Sequence, residues 1–374
     1  MKLLIAGGGT GGHLFPGIAV AEEFLSRAPE NTVVFVGTEQ GIESKVLPKL
    51  GYELKAIPAS GIKGKSLLSK VKALGMLLYG YSESRKILKE LKPDLILGVG
   101  GYVSAPALLA ARGMQIPRFI HEQNAIPGVT NKLLSRFVDE IFISFEESLK
   151  FFHKDRAILT GNPLRKQITE DVAIIDGERD GRFHILVFGG SLGASRINKV
   201  MAEAASRFSS IKDMIAIKHQ TGEKDIDEVK RAYESAGIDA EVVNFIDNMA
   251  EAYRAADLVI CRAGATTIAE ITASGKPAIF IPFPYATDDH QRRNAEALLK
   301  QDACGMILEV ELTPEILFDR VKELIDNPEA LKAMGENARK LAHLDAAEVI
   351  VSDMLKVCSE KGVKVKKQIQ SELA

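Results

Sequence analysis

KLLIAGGGTGGHLFPG, residues 2–17, decides how the rest of the chain reads. An apolar run, five glycines in six positions and then a helical pattern make a buried strand, a tight turn and a helix. About 180 residues later FHILVFGGSLGASRIN, residues 183–198, repeats the same three parts. Short apolar runs alternate with helical patterns after each copy: TVVFVG, DLILGV, PRFIHE and DEIFIS follow the first, and MIAIKH, AEVVNF, DLVIC, PAIFIP and GMILEV the second. Such alternation is α/β with parallel sheets, and its restart predicts two Rossmann-like domains in tandem. At 374 residues the chain exceeds the ~250–300 at which one core stops growing, which agrees. The stretch from ILTGNPLR to the polar DVAIIDGERDGRF is the candidate linker region, and helices dominate after Thr313. The expected division is 1–163, 164–345, and a helix and tail over 346–374, whose basic end is expected to pack loosely.

Composition narrows the function classes. Charged residues make up 26% of the chain and the formal net charge is −2, ordinary for a soluble globular protein and no footprint of nucleic-acid binding. Cys261, Cys304 and Cys358 are widely separated, so neither a disulfide framework nor a zinc site is indicated, and a reducing cytoplasm is expected. The apolar run before the first glycines is too short for a signal-peptide core. Residues 95–111, LILGVGGYVSAPALLAA, carry no charge, yet glycines, Ser104 and Pro106 split them into a strand, a turn and a helix starting near Ser104.

Gly7, Gly9 and Gly12 satisfy G-x-G-x-x-G between strand and helix, the pattern that brings backbone N–H groups to a pyrophosphate. A dinucleotide site also wants an acidic residue closing the second strand, ~20 residues on. That strand ends Val36-Gly37-Thr38, with Glu39 too far along, so a nicotinamide or flavin oxidoreductase is only an alternative. Two further glycine turns, at 98–101 and 189–193, also follow strands, and none of the three loops runs into the GK[ST] of a Walker pattern. In CRAGATTIAE, Gly264 and Ala265 open a helix with Thr266 and Thr267 in its first turn, where N–H groups and hydroxyls can hold an anion. Glu270, one turn on, can accept from vicinal ribose hydroxyls; the alternative is a solvated helix residue.

Seven motifs, GGGTGGHLFPG, GVGGYVSAPALLAA, HEQNAIPGVTN, GNPLR, GGSLGAS, CRAGATTIAE and PFPYATDDHQRRNA, run in order from residue 7 to about 295. Together they resemble the MurG family of peptidoglycan N-acetylglucosaminyltransferases, within the GT-B superfamily. The resemblance implies two Rossmann-like domains facing a cleft, with a C-terminal helix returning to the first. It also implies transfer of GlcNAc from UDP-GlcNAc to the C4 hydroxyl of MurNAc in lipid I, with inversion, giving lipid II; a UDP-GlcNAc 2-epimerase of similar build is the nearest rival.

Such a displacement needs a base, and His13, ending the first loop, is the candidate, with Glu122 of HEQN as its competitor. The alternative for His13 is a helix cap or a hydrogen bond to sugar or phosphate. The resemblance assigns donor contacts to Thr10, Gly11, Gly12, Asn124, Arg165 and Ser191. It gives uracil to the backbone of Ile246, the diphosphate and ribose to Ala265, Thr266, Thr267, Ile268, Ala269 and Glu270, and the GlcNAc hydroxyls to Gln291. Gly100, Gly101 and Tyr102 are candidates for the acceptor diphosphate. Ala263 and Ala269 stand where the family often has serine, so any hydroxyl role there is lost.

No metal or other cofactor is expected: Asp225-Ile226-Asp227 opens a helix, where acidic residues suit the dipole, and Asp288-Asp289-His290 is not needed when helix N-termini can meet the diphosphate. The segment GIKGKSLLSKVKALGMLLYGYSESRK mixes lysines with Leu67, Leu68, Leu74, Leu77, Leu78 and Tyr79, which suits an anionic bilayer surface as well as an ordinary domain helix. A peripheral protein on the cytoplasmic face of the cell membrane is the expectation, with division or elongation proteins as the partners the family suggests.

Overall fold

The structure, a computed structural model, describes residues 1–58, 67–171, 180–190 and 193–363; of residues 67–74 and 171 it describes the backbone. The chain divides into two units, Met1–Arg165 with His343–Ala374, and Lys166–Ala342. Part of the candidate linker, residues 172–179, and the tail from 364 onward lie outside the described residues.

In the first unit β1 (Lys2–Ala6), α1 (Gly11–Ser26), β2 (Thr32–Gly37), α2 (Glu43–Val46), β3 (Glu53–Ala56), α3 (Leu67–Leu91), β4 (Leu95–Gly98), α4 (Ser104–Gly113), β5 (Arg118–Glu122), α5 (Val129–Leu134), β6 (Glu140–Ile143) and β7 (Ala157–Leu159) follow in order. The strands form a seven-stranded sheet ordered β3-β2-β1-β4-β5-β6-β7, parallel throughout. Leu3, Leu4, Ile5 and Leu95, Ile96, Leu97 are covered on both faces, which is why these strands read as unbroken apolar runs instead of alternating ones.

The second unit holds α6 (Lys166–Asp171), β8 (Phe183–Phe188), α7 (Ser195–Phe208), β9 (Ile215–Gln220), α8 (Ile226–Ala236), β10 (Ala240–Val243), α9 (Met249–Ala255), β11 (Leu258–Cys261), α10 (Ala265–Ser274), β12 (Ala278–Phe280), α11 (His290–Leu299), β13 (Gly305–Met306), α12 (Pro314–Asp326) and α13 (Pro328–Lys340). Its six strands are ordered β10-β9-β8-β11-β12-β13, so the two sheets share one winding with β1 and β8 in equivalent places. In both, connections leave in opposite directions from the central pair, β1/β4 and β8/β11; such a switch point opens a crevice at the carboxyl ends of the strands.

The last helix, α14 (Ala346–Glu360), belongs to the first unit. Ile350, Val351, Met354, Leu355 and Cys358 are fully buried in one cluster with Leu3, Leu14, Ile18 and Phe24. Each side chain of this size contributes roughly 1.5–3 kcal/mol on burial, enough to fasten the helix there. The charge-free 95–111 text is β4, a turn and the start of α4, as its glycines and Pro106 suggest. No helix among the described residues is long and apolar enough to cross a membrane. Of the α3 patch, the side chains of Leu67, Leu68 and Leu74 lie outside the described set, Leu77 is half-buried, and Leu78 and Tyr79 are 64% and 58% exposed.

Candidate active site

At the switch point of the first unit, the glycine loop leaves β1 and runs into α1. Gly7 N–H donates to Val36 O, and Thr10 takes the N-cap position, exposed and with a hydroxyl that makes no capping bond. Gly11 and Gly12 open the helix, so their N–H groups lack partners within it. Beneath the loop lies a residue that the reading from sequence passed over. Glu43 is fully buried; Oε2 accepts from Gly9 N–H at 2.7 Å, and Oε1 from Thr38 N–H and Oγ1 at 2.8 and 2.9 Å. A Cβ at Gly8, Gly37 or Gly41 would collide with this side chain, so the three glycines make room for it. The acidic residue missing from the end of β2 therefore comes from α2, and it holds the loop from below; Glu39 is exposed.

The second glycine loop interlocks with the first. Gly100 has φ +97°, and a Cβ there would sit 2.7 Å from His13 Nδ1; one at Gly101 would meet Gly8 O at 2.9 Å. Ser104 Oγ lies 2.8 Å from both Ala6 O and Gly100 O, tying the two strand ends together. Tyr102, at the rim, is exposed.

His13 falls in the first turn of α1, half-buried, and does not act as a cap: its Nδ1 is 3.0 Å from Gln123 Oε1. Among the described residues its Nε2 meets no partner. Gln123 Nε2 donates to Val99 O at 2.9 Å and lies 3.0 Å from Nδ1 of His121, whose Nε2 faces Gly161 O at 3.2 Å. Burial pushes the His121 imidazole down to about 4, against the Gly161 carbonyl that favours its charged form, so it is neutral at physiological pH. His121 and Gln123 are two apart at the end of β5, where residues i and i+2 share a side; that spacing in HEQN is the signal that could have paired them.

Glu122, the competing base, is placed otherwise. It is 2% exposed; Oε1 accepts from Asn124 N–H and Nδ2, and Oε2 from Gly128 N–H at 3.1 Å and Asn131 Nδ2 at 2.8 Å. Both oxygens are engaged in shaping the loop from 123 to 131, which gives Glu122 a structural task. Asn124 is positioned by the same carboxylate. The Arg165 guanidinium lies over the Phe15 ring of α1, 4.7 Å from its centroid, which sets it beside the first loop.

At the switch point of the second unit, Gly264 is the extended N-cap of α10 and Ala265, Thr266 and Thr267 form its first turn. Ile268 N–H donates to Gly264 O, and the N–H groups of the first turn lie at the helix end, where the dipole favours an anion. Ala265, Ile268 and Glu270 are buried, while Thr266, Thr267 and Ala269 are half-buried. Tyr253 Oη donates to Glu270 Oε2 at 2.9 Å and so orients the carboxylate, a partner that the sequence did not suggest. Ile246 is buried just after β10. Gln291 opens α11 with Oε1 accepting from Phe283 N–H at 3.0 Å, which turns its amide nitrogen outward as the donor end. Ser191 lies outside the described residues. Asp225 Oδ2 accepts from Asn198 Nδ2 at 2.8 Å, and among the described residues no group of three or more His, Cys, Asp or Glu could hold a metal ion.

Residues 3–143 match the glycosyltransferase family 28 N-terminal domain and residues 184–350 the family 28 C-terminal domain. The chain is also 63% identical, over 95% of its own length and 98% of the relative's, to the UDP-N-acetylglucosamine-N-acetylmuramyl-(pentapeptide) pyrophosphoryl-undecaprenol N-acetylglucosamine transferase of Geobacter metallireducens. It belongs to glycosyltransferase family 28. The crystal structure of Acinetobacter baumannii MurG superposes with a TM-score of 0.77 at 31% identity, covering 95% of this chain and 99% of that one. This family 28 member thus has the GT-B fold, and the oxidoreductase alternative falls with that assignment. A UDP-GlcNAc 2-epimerase from Neisseria meningitidis, bound to UDP-GlcNAc, gives a TM-score of 0.68 over 95% of this chain and 100% of that one; at 16% identity it shares the fold alone.

Proposed function

We propose that this chain moves GlcNAc from UDP-GlcNAc to the C4 hydroxyl of MurNAc in undecaprenyl-pyrophosphoryl-MurNAc-pentapeptide, lipid I, giving lipid II in peptidoglycan synthesis. The observation that carries the reading is the 63% identity over nearly the full length to a transferase named for that reaction. His13 Nε2 takes the proton of the C4 hydroxyl as its oxygen attacks the anomeric carbon of GlcNAc; the bond from that carbon to the diphosphate breaks, its electron pair leaves with UDP, and the configuration inverts. Developing charge on UDP is met by the N–H groups of Ala265, Thr266 and Thr267 in place of a cation. Glu270, oriented by Tyr253, accepts from the ribose hydroxyls, and the Gln291 amide nitrogen donates to GlcNAc.

Thr10, Gly11, Gly12, Asn124, Arg165 and Ser191 complete the donor contacts, and Gly100, Gly101 and Tyr102 serve the acceptor diphosphate. Support for the last assignment is the interlocking of the two glycine loops around His13. Incubation with radiolabelled UDP-GlcNAc and a short-chain lipid I analogue, in the presence of EDTA, tests the reading: label in the lipid with UDP released is expected. ManNAc formed without acceptor would instead identify an epimerase, and dependence on added divalent ion would overturn the metal-free step.

A lipid-linked acceptor supports a peripheral location at the cytoplasmic face of the membrane, with division or elongation proteins as partners. Leu78 and Tyr79, exposed on α3 beside a lysine-rich stretch, support that surface as the contact. Each apolar side chain of this size withdrawn from water contributes roughly 1.5–3 kcal/mol. Leu78→Ser with Tyr79→Ser is therefore expected to lower binding to anionic phospholipid vesicles by at least about tenfold in a sedimentation assay. Unchanged sedimentation would remove this surface.

A further inference from the structure

We propose that Gln123 is a positioning residue that holds His13 in the tautomer with its proton on Nδ1, and that His121 keeps the Gln123 amide in the orientation this requires. The inference rests on His13 being the base.

Donors and acceptors leave one consistent arrangement. The carbonyl of Val99 can only accept, so the Gln123 atom 2.9 Å from it is the amide nitrogen. The carbonyl of Gly161 can only accept, so the His121 Nε2 beside it carries a proton, and in a neutral ring Nδ1 then offers a lone pair to Gln123 Nε2 at 3.0 Å. Ser144 Oγ, 3.3 Å from the same Nε2, can rotate to accept and imposes nothing else. Flipping the Gln123 amide would set oxygen against the Val99 carbonyl and against the His121 lone pair. His121 and Gln123 are each 1% exposed, so water cannot repair such a mismatch. Oxygen Oε1 is therefore the atom 3.0 Å from His13 Nδ1, and Nδ1 must donate. A neutral imidazole has one N–H, which leaves the lone pair on Nε2, the nitrogen without a partner among the described residues.

In serine hydrolases a buried carboxylate performs this task and also stabilises the imidazolium. Here a neutral amide, steadied by a neutral histidine, selects the tautomer without adding a countercharge. The Gly100 backbone completes the seat, since a Cβ there would press on the same ring.

The direct test is a long-range proton–nitrogen correlation spectrum of the full chain with ¹⁵N-labelled histidine, at about pH 8, with the His13 signal identified by its loss in His13→Asn. Protonated Nδ1 and unprotonated Nε2 are expected; a His13 signal dominated by the Nε2–H form in the parent protein would overturn the proposal. In Gln123→Met the Nε2–H form should grow, with kcat falling about ten- to a hundredfold and KM for UDP-GlcNAc changing less than about twofold. An unchanged tautomer with unchanged kcat in that variant would also overturn it. The base assignment fails separately: His13→Ala with near-normal turnover would remove the base while leaving the Nδ1–H signal of the parent protein in place.

Discussion

His13→Ala is expected to lower kcat for GlcNAc transfer by about a hundred- to ten-thousandfold, the range over which a positioned general base contributes. In the proposed reaction the ring takes the proton of the C4 hydroxyl, because Glu122 has both oxygens committed to Asn124, Gly128 and Asn131. Loss of the ring should leave UDP-GlcNAc affinity within about threefold, since none of the donor contacts proposed above uses the imidazole. Steady-state kinetics with a soluble lipid I analogue, beside calorimetric titration of UDP-GlcNAc, separates the two. A kcat within about threefold of the parent would show that the proton leaves by another route.

Glu43→Ala is expected to destabilise the chain by about 3–5 kcal/mol, because Gly9 N–H, Thr38 N–H and the Thr38 hydroxyl lose their acceptor at a buried position and each unsatisfied donor costs ~1–3 kcal/mol. For a unit of this size the thermal midpoint should fall by roughly 10 °C. Turnover should fall as well, since the loop carrying Thr10 to His13 would lose its support. Glu43→Gln keeps the shape but sets N–H groups against either Gly9 or Thr38, so it should also destabilise, by less. If Glu43→Gln melted with the parent protein, the side chain would be acting through packing alone, and the hydrogen-bonded anchor would be refuted.

Much of the fold was legible because its signals are local. β1, β2, β4 and β11 are apolar runs closed by turn residues, and burial on both faces is what makes them continuous. The start of α1 was not: the glycine run was expected to be a tight turn ahead of the helix, whereas the helix already begins at Gly11 and contains Pro16. Glycine and proline disfavour helix, but burying Leu14, Pro16, Gly17 and Ile18 against the sheet outweighs that. β3 and β7 escaped notice because both are short edge strands, half-buried to exposed; β3 reads ELKA, with no apolar run, and β7 is an apolar run of only three residues, AIL.

The site divides along the same line. Each glycine turn directly follows its strand, His13 ends the first loop, and Thr266 and Thr267 open a helix just after β11, so the sequence by itself determined that each of them lies at the carboxyl end of a strand. Only the tertiary structure decided what each polar side chain does there. His13 and Gln123 are 110 positions apart, and Gly9 and Glu43 are 34 apart. Hydrogen-bond direction depends on which donor meets which acceptor across such distances, and only the packing of strands, loops and helices brings them together. In that frame Glu122 becomes a loop anchor, Glu43 the support of the glycine turn, and Gln123 the group that leaves a lone pair on the far nitrogen of His13.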